Sequence, residues 1–173
     1  QISSIANAIR ERKDKVRAIL IAGPSSSGKT TFSKRLTIQL LTEGISPFAL
    51  EMDNYFVNRE DTPKDADGNF DFEHIDALNR QLLNDHIKQL TEGKRVQLRR
   101  FDFQNGVNLP GDEVQLAPGQ MIILEGIHGL NPKLLEGFPP EQTYRIYVSC
   151  LTQLNLDRHN RISTTDTREL RRI

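Results

Sequence analysis

The chain has 173 residues with 23 basic and 23 acidic side chains, so its formal net charge is zero. A neutral chain has no global attraction to nucleic acid or anionic membranes, and no apolar run approaches the roughly 20 residues of a membrane span. Cys150 is the only cysteine, which excludes an intramolecular disulfide and favours a cytoplasmic protein in which this thiol is buried.

Two elements are predicted before the first motif. Residues 3–15 are expected to form a helix, because Ile5, Ala8 and Ile9 recur on one stripe. The continuous apolar run of residues 18–22 is typical of a buried parallel strand.

The next segment, residues 23–30, is Gly-Pro-Ser-Ser-Ser-Gly-Lys-Thr and fits the phosphate-binding pattern G-x-x-x-x-G-K-[ST]. Apolar residues at helical spacing follow it, so the loop joins a strand to a helix N-terminus, which attracts anions. We predict that it binds ATP, with Lys29 reaching the β/γ-phosphates and the Thr30 hydroxyl ligating Mg²⁺. The expected nucleotide contacts are Gly23, Ser25, Ser26, Ser27, Gly28, Lys29, Thr30 and Thr31.

A second strand, residues 45–52, is predicted to end at Asp53. The carboxyl edge of a parallel sheet is its ligand side. There Asp53 would accept the proton of an attacking hydroxyl or help to hold Mg²⁺. Capping of a turn is the alternative for Asp53. Tyr55, in the same segment, is assigned to the substrate side.

Residues 58–72 are polar and rich in turn formers, which predicts an exposed excursion suited to substrate contacts. A helix is expected from Asp76, as its N-cap, to about Thr91. Asp71 and Asp76 are both candidates to bind substrate hydroxyls, and for Asp76 the capping role competes evenly.

Residues 96–116 change to a strand period and predict an inserted β-hairpin. Turn signals occur at Asn105-Gly106 and Pro110-Gly111, and a short second strand is expected over residues 113–116. Such a hairpin would wall a substrate pocket, with Phe101 or Phe103 as a stacking surface. Core packing is the alternative for each ring.

A third apolar strand, residues 121–126, contains Glu125 near its end. A strand with a terminal carboxylate completes a phosphate-loop site, so Glu125 is predicted to bind Mg²⁺ directly or through water. His128 is expected to be structural or exposed. A short helix over residues 131–138 and a strand over residues 143–149 follow.

Arginines crowd the end of the chain, where two further helices are predicted. One of these arginines would reach a transferring γ-phosphoryl group if residues 158–173 begin a lid. A solvated charged face is the alternative. The residues concerned are Arg158, Arg161, Arg168, Arg171 and Arg172.

Taken in order, several segments resemble the uridine kinase/phosphoribulokinase family of P-loop kinases, and within it a bacterial nucleoside kinase-like subgroup. They are residues 23–30, Met52-Asp53-Asn54-Tyr55-Phe56, Asn69-Phe70-Asp71, Asp76-Ala77, Phe101-Asp102-Phe103, Leu124-Glu125-Gly126-Ile127 and residues 168–172. The resemblance implies a three-layer α/β fold with a mostly parallel sheet, the inserted hairpin and an Arg-rich lid. It also implies γ-phosphoryl transfer from Mg·ATP to a sugar hydroxyl, such as the 5′-OH of a nucleoside.

By the same resemblance, Asp53 matches the family's catalytic Asp, Glu125 its Mg²⁺-associated acid and Asp76 its ribose-binding Asp. Arg168 and Arg172 match its lid arginines, which assigns them catalytic roles. The chain departs from the family's uridine kinases at Phe101, where they usually carry Tyr, and residues 104–108 lack their base-reading His. An ATP-binding regulatory module without a small-molecule acceptor is therefore the second hypothesis.

A single domain is predicted over residues 1–173. Because the chain begins at Gln1 and ends inside a predicted helix, we expect it to be a fragment of a longer protein. Fusion to further domains and homo-oligomer formation remain open.

Overall fold

The computed structural model of the chain describes residues 1–149. The described helices are α1 (Ile2–Glu11), α2 (Lys29–Thr42) and α3 (Arg80–Thr91). The strands are β1 (Ala18–Ala22), β2 (Pro47–Glu51), β3 (Arg95–Asp102), β4 (Val107–Gln115), β5 (Met121–Glu125) and β6 (Thr143–Tyr147). Short 3₁₀ turns occupy Met52–Tyr55, Arg59–Asp61, Ile75–Ala77 and Pro140–Gln142.

Four strands form one parallel sheet in the order β2-β5-β1-β6. The strand that precedes the phosphate loop, β1, is therefore central. In the register, Ile21 lies opposite Glu125, and Glu125 in turn lies opposite Glu51. The carboxyl ends of β1, β5 and β2 thus meet at one edge, as the sequence predicted for a mostly parallel sheet.

Both faces of the sheet are covered, which makes three layers. Ile19 and Ile21 of β1 belong to a core cluster shared with α1 and α2, whereas Ala18 and Leu20 belong to a cluster shared with α3 and the hairpin. All five residues of β1 are buried. This explains why its sequence is a continuous apolar run rather than an alternating one.

The hairpin of β3 and β4 forms a separate antiparallel sheet. Its turn lies at Asn105-Gly106 as predicted, but β4 begins at Val107, so the predicted turn at Pro110-Gly111 is wrong. Pro110 pairs with Arg99 beside a register shift in the ladder. Such an irregularity accommodates a proline, which has no N–H to donate.

Two other local predictions are corrected by the structure. Residues 131–138 form turns instead of a helix, because so short a segment does not repay helix nucleation and Gly137, with φ of 77°, ends it. The helix α3 begins at Arg80, and its N-cap is Asn79 rather than Asp76. The predicted α1 is confirmed, but it ends at Glu11.

The remaining predicted helices, the lid at residues 158–173 and Cys150 lie outside the described residues. Within residues 1–149, no helix has both the length and the apolar character that crossing a membrane requires.

The N-cap of α3 can be tested by substitution of Asn79 and Asp76. The Asn79 side chain accepts a hydrogen bond from Leu82 N at 3.1 Å, so Asn79→Ala should lower the free energy of unfolding by about 1 kcal/mol. Asp76 makes exposed or half-exposed ion pairs with Arg80 at 2.6 Å and with His74 at 3.7 Å. Asp76→Ala should therefore lower the free energy of unfolding by less than about 0.5 kcal/mol. Urea titration of both variants measures the difference, and equal losses would contradict the assignment of the cap.

Candidate functional site

The loop between β1 and α2 depends on two glycines. A Cβ on Gly23 would lie 2.2 Å from the main-chain oxygen of Val148, which follows β6. Gly28 caps α2 with φ of 90°, a left-handed conformation that is strained for residues with a side chain. These constraints explain both glycines of the motif, because any side chain at Gly23 would push the loop away from the sheet.

The loop surrounds the N-terminus of α2. No side chain caps this helix and its first turn contains no acidic residue, so its first N–H groups and its dipole favour an anion there. Lys29 Nζ donates to Pro24 O at 3.0 Å, which places the ammonium group over the loop. Ser27 Oγ is buried and has no hydrogen-bond partner among the described residues.

The loop is joined to β5 by a hydrogen bond in which Thr30 Oγ1 donates to Glu125 Oε1 at 2.7 Å. The second carboxylate oxygen, Glu125 Oε2, is buried and unpartnered within residues 1–149. The register explains this contact, since Glu125 lies opposite Ile21 on the neighbouring strand and α2 starts soon after that strand ends.

Asp53 lies in the 3₁₀ turn Met52–Tyr55, directly after β2. Burial raises the pKa of the Asp53 carboxyl above its ordinary value, and the nearby charge of Glu125 raises it further. Lys29 lowers this pKa, and Glu51 raises it. The cationic Lys29 and the carboxylates of Asp53 and Glu125 are thus electrostatic neighbours at one edge of the sheet, as the sequence predicted.

The carboxylates and the hydroxyl of this group are oxygen ligands of the kind that magnesium prefers. No cluster of three or more His, Cys, Asp and Glu residues able to hold a metal occurs in residues 1–149. Mg²⁺ typically takes one or two carboxylates and completes its shell with water and phosphate oxygens. The unpartnered Glu125 Oε2, the Thr30 hydroxyl and the Asp53 carboxylate, crowded by like charge, fit that preference.

Two aromatic residues predicted to face the substrate are buried instead. Tyr55 has no exposed surface, and its hydroxyl is hydrogen-bonded to His86 Nδ1 at 3.0 Å. Phe101 is buried and packs edge-on against Phe56 and Phe103. These positions do not support direct substrate contacts by Tyr55 and Phe101, because their apolar surface is already used by the core. Phe103 remains 60% exposed.

The two predicted substrate aspartates lie in different surroundings. Asp71 Oδ1 accepts from Glu73 N at 2.9 Å, and the Asp71 charge is close enough to influence the pKa of His128, three residues after Glu125. Burial lowers the pKa of His128. Asp76 instead pairs with Arg80 at 2.6 Å and with His74 at 3.7 Å, beside a groove of about 580 Å³ formed with residues of the 133–136 turn.

Other participants were missed by sequence reasoning. Glu51 influences Asp53, and the amides of Asn54 and Asn108 connect the Asp53 turn to the hairpin. No local pattern marks these residues, since Asn54 and Asn108 are far apart in sequence. Arg168 and Arg172 lie outside the described residues.

The sequence of this chain is similar to one known protein family and to individual proteins from other organisms. A sequence model of the Phosphoribulokinase / Uridine kinase family matches residues 18–163. A uridine kinase of Halobacterium salinarum is 33% identical over 114 residues, which cover 66% of this chain and 49% of that protein. An inorganic pyrophosphatase of Arabidopsis thaliana is 29% identical over 126 residues, which cover 73% of this chain and 17% of that protein. The chain thus spans about half the length of the uridine kinase and a small part of the pyrophosphatase.

A solved structure described as a possible uridine kinase from Bacillus stearothermophilus superimposes with a TM-score of 0.61 at 24% sequence identity. The superposition covers 81% of this chain and 80% of that chain. At this identity the likeness supports the fold alone, and it confirms the predicted P-loop architecture with its mostly parallel sheet.

The close approach at Gly23 can be tested by Gly23→Ala. Because the added Cβ would meet a main-chain oxygen, the loop must shift, and affinity for a non-hydrolysable ATP analogue should fall by about tenfold or more. Gly44→Ala is the control: Gly44 has φ of 76° and no atom within 4 Å of the added Cβ. It should lower stability by about 1 kcal/mol and leave binding unchanged. Isothermal titration calorimetry measures both, and unchanged affinity of Gly23→Ala would contradict the assignment.

The raised pKa of Asp53 predicts a pH-dependent gain of stability in Asp53→Asn. At neutral pH the folded state disfavours the ionised carboxyl, whereas the unfolded state does not, so the charge destabilises the fold. Below the ordinary value of 3.8 the carboxyl is protonated in both states and the effect disappears. In metal-free buffer, Asp53→Asn should therefore raise the melting temperature at pH 7 and progressively less as the pH falls.

Thermal unfolding followed by circular dichroism between neutral and acidic pH measures this dependence. The exposed Asp112→Asn serves as the control for loss of one negative charge. A melting temperature that falls in Asp53→Asn at pH 7, or a gain that persists unchanged at acidic pH, would show that the environment of Asp53 is misassigned.

Proposed function

The chain belongs to the phosphoribulokinase/uridine kinase family, and from that membership we propose that it transfers the γ-phosphoryl group of Mg·ATP to a hydroxyl of a small, nucleoside-like acceptor. The observation that carries this proposal is the meeting of three parts at one edge of the sheet. These parts are the phosphate loop with Lys29, the Thr30–Glu125 hydrogen bond and the Asp53 carboxyl with its raised pKa.

The donor half of the proposed site is the phosphate loop. The uncapped N-terminus of α2 and the loop N–H groups would bind the phosphate chain, with contacts from Gly23 to Thr31. The Lys29 ammonium, which lies over the loop, would turn to the β/γ-phosphates and offset their charge. Ser27 Oγ, buried without a partner among the described residues, is a further candidate for a phosphate contact.

Three residues would hold the magnesium ion: Thr30 through its hydroxyl, and Glu125 and Asp53 through their carboxylates, directly or through water. When bound, the ion would offset negative charge on the β- and γ-phosphates. The repulsion between the two carboxylates, which contributes to the raised pKa of Asp53, favours a cation between them.

Asp53 would also serve the acceptor. A carboxylate positioned at the attacking hydroxyl can accept its proton as the oxygen–phosphorus bond forms. A raised pKa makes the carboxylate a better proton acceptor. Arg168 and Arg172 are proposed to close over the transferring phosphoryl group, as the family resemblance implies.

The acceptor half would lie between Asp71 and the hairpin. Asp71 is near His128 at the end of β5, and the exposed ring of Phe103 offers a planar surface on the hairpin. We propose Asp71 and Phe103 for contacts with the acceptor's hydroxyls and ring. Asp76, engaged by Arg80, is the weaker candidate.

A regulatory module without a small acceptor is the second candidate function. It is favoured by the relative in Arabidopsis thaliana, which carries the matching region within 17% of its length and is named an inorganic pyrophosphatase. That case indicates that this fold can be one part of a protein with another named activity. The absence of His from residues 104–108 is consistent with this alternative.

An acceptor screen separates the two functions. The protein is incubated with Mg·ATP and one member of a panel of nucleosides, pantothenate and sugar phosphates, and ADP release is recorded. We expect ADP release that depends on one acceptor class, with nucleosides giving the strongest dependence. ATP binding without any acceptor dependence would contradict the kinase proposal and favour the module.

Asp53→Asn tests the assigned mechanism with the best acceptor. Because this change removes the proton acceptor, kcat should fall by about 10²- to 10⁴-fold while affinity for the ATP analogue persists. Asp112→Asn, an exposed change of the same kind on the hairpin, should leave kcat near the wild-type value. Unchanged turnover of Asp53→Asn would disprove the role of Asp53.

A further inference from the structure

One amide side chain ties the hairpin to the turn that carries Asp53. Asn108 lies in β4, opposite Phe101 of β3. Its Nδ2 donates to two main-chain carbonyls, Asn54 O and Phe56 O, each at 2.8 Å. Both carbonyls belong to the segment directly after Asp53, so a single side chain bridges the two parts of the fold.

The other polar atoms of Asn108 are used as well, and they determine its orientation. Oδ1 accepts from Arg99 Nε at 2.5 Å, and the main-chain N donates to Asn58 Oδ1 at 2.9 Å. A flipped amide would place Oδ1 against two carbonyl oxygens and the NH₂ group against a guanidinium group, with no hydrogen bond in either place. The amide therefore has one favourable orientation.

A second amide makes the reverse connection. Asn54 Oδ1 accepts from Phe101 N at 3.1 Å, and Asn54 Nδ2 donates to Glu51 Oε2 at 3.0 Å. The Asp53 turn is thus connected on one side to the end of β2 and on the other to the last residues of β3, near the hairpin turn. Networks in which every polar group is paired favour a single arrangement of the chain.

We propose that Asn108 is a positioning residue for Asp53: it holds the turn at a fixed separation from the hairpin and so determines where the Asp53 carboxylate lies. This inference rests on the proposed function for the role of Asp53. If so, the hairpin strands that would line the substrate pocket also determine the position of Asp53, the proposed proton acceptor. Displacement of a reacting group by about 1 Å can lower a rate by about a hundredfold.

Asn108→Asp tests the proposal with almost no change of volume. The aspartate keeps an oxygen for Arg99 but places its second oxygen against two carbonyls, so both bonds to the turn are lost. Amide hydrogen exchange of residues 52–58 should accelerate by about tenfold or more, while β1 and β5 keep their wild-type rates. With the best acceptor, kcat should fall by about 10- to 100-fold, and KM for ATP should change by less than about twofold.

Asn84→Asp is the matched control. Asn84 Nδ2 also donates to a main-chain carbonyl, Glu136 O at 2.8 Å, but from α3. The Asn84→Asp variant should lower the free energy of unfolding. Its kcat per folded molecule and its amide hydrogen exchange in residues 52–58 should stay at wild-type values. The proposal is overturned if exchange of residues 52–58 in Asn108→Asp equals that of the wild type, or if kcat per folded molecule falls no more than in the control.

A substitute variant and a measurement that needs no acceptor keep the role of Asn108 testable. If Asn108→Asp does not fold, Asn108→Ser replaces it, because serine removes both amide donors without adding a charge. If the wild-type protein shows no acceptor-dependent ADP release, the proposed function fails. The exchange measurement, which needs no acceptor, then decides alone whether Asn108 holds the Asp53 turn.

Discussion

The hydrogen bond from Thr30 to Glu125 depends on the parallel register of β1 and β5, and the rest of the site is arranged around it. Because Ile21 pairs with Glu125, the start of α2 and the end of β5 are held side by side. A movement of α2 away from the acidic edge would break the hydrogen bond between Thr30 and Glu125. The same register places Glu51 of β2 opposite Glu125, which brings the following Asp53 turn to the same edge.

This arrangement concentrates negative charge at one edge of the sheet. Burial and the carboxylate of Glu125 both disfavour ionisation of Asp53, and Lys29 compensates only in part. A fold optimised for stability alone would not place these acids side by side. A bound cation and polyphosphate would offset the repulsion between these carboxylates. Binding would then stabilise the fold, which the repulsion destabilises when no ligand is bound.

The phosphate loop was predictable from local patterns, whereas the surroundings of the residues proposed for the acceptor were not. An apolar strand, a glycine-rich loop and a helix adjoin one another in sequence, so β1, residues 23–28 and α2 were identified correctly. The surroundings of Tyr55, Phe101 and Asp76 depend on partners such as His86, Phe56 and Arg80. An aromatic residue after a strand has the same local pattern whether it faces a ligand or the core. The N-cap at Asn79 was missed for a related reason, since Asp76 and Asn79 are both acceptable caps and the 3₁₀ turn Ile75–Ala77 decides between them.

The network around Asn108 shows why family membership predicts the phosphate-binding part of the proposed site better than the part that would bind the acceptor. Phosphate binding uses main-chain groups of one continuous segment, so its geometry persists wherever the motif and its flanking elements persist. The acceptor side of the proposed site would instead be assembled from the Asp53 turn, the excursion of residues 58–72 and the hairpin. The hairpin meets the excursion through long-range contacts such as Arg59 N to Gly106 O at 2.8 Å. A change in any one of these segments would therefore move the proposed wall of the acceptor pocket. In this chain an asparagine network holds the hairpin in place, and Phe101 packs in the core. Under the proposed function, the acceptor would therefore have to be found by measurement on this protein, since the phosphate loop carries no information about it.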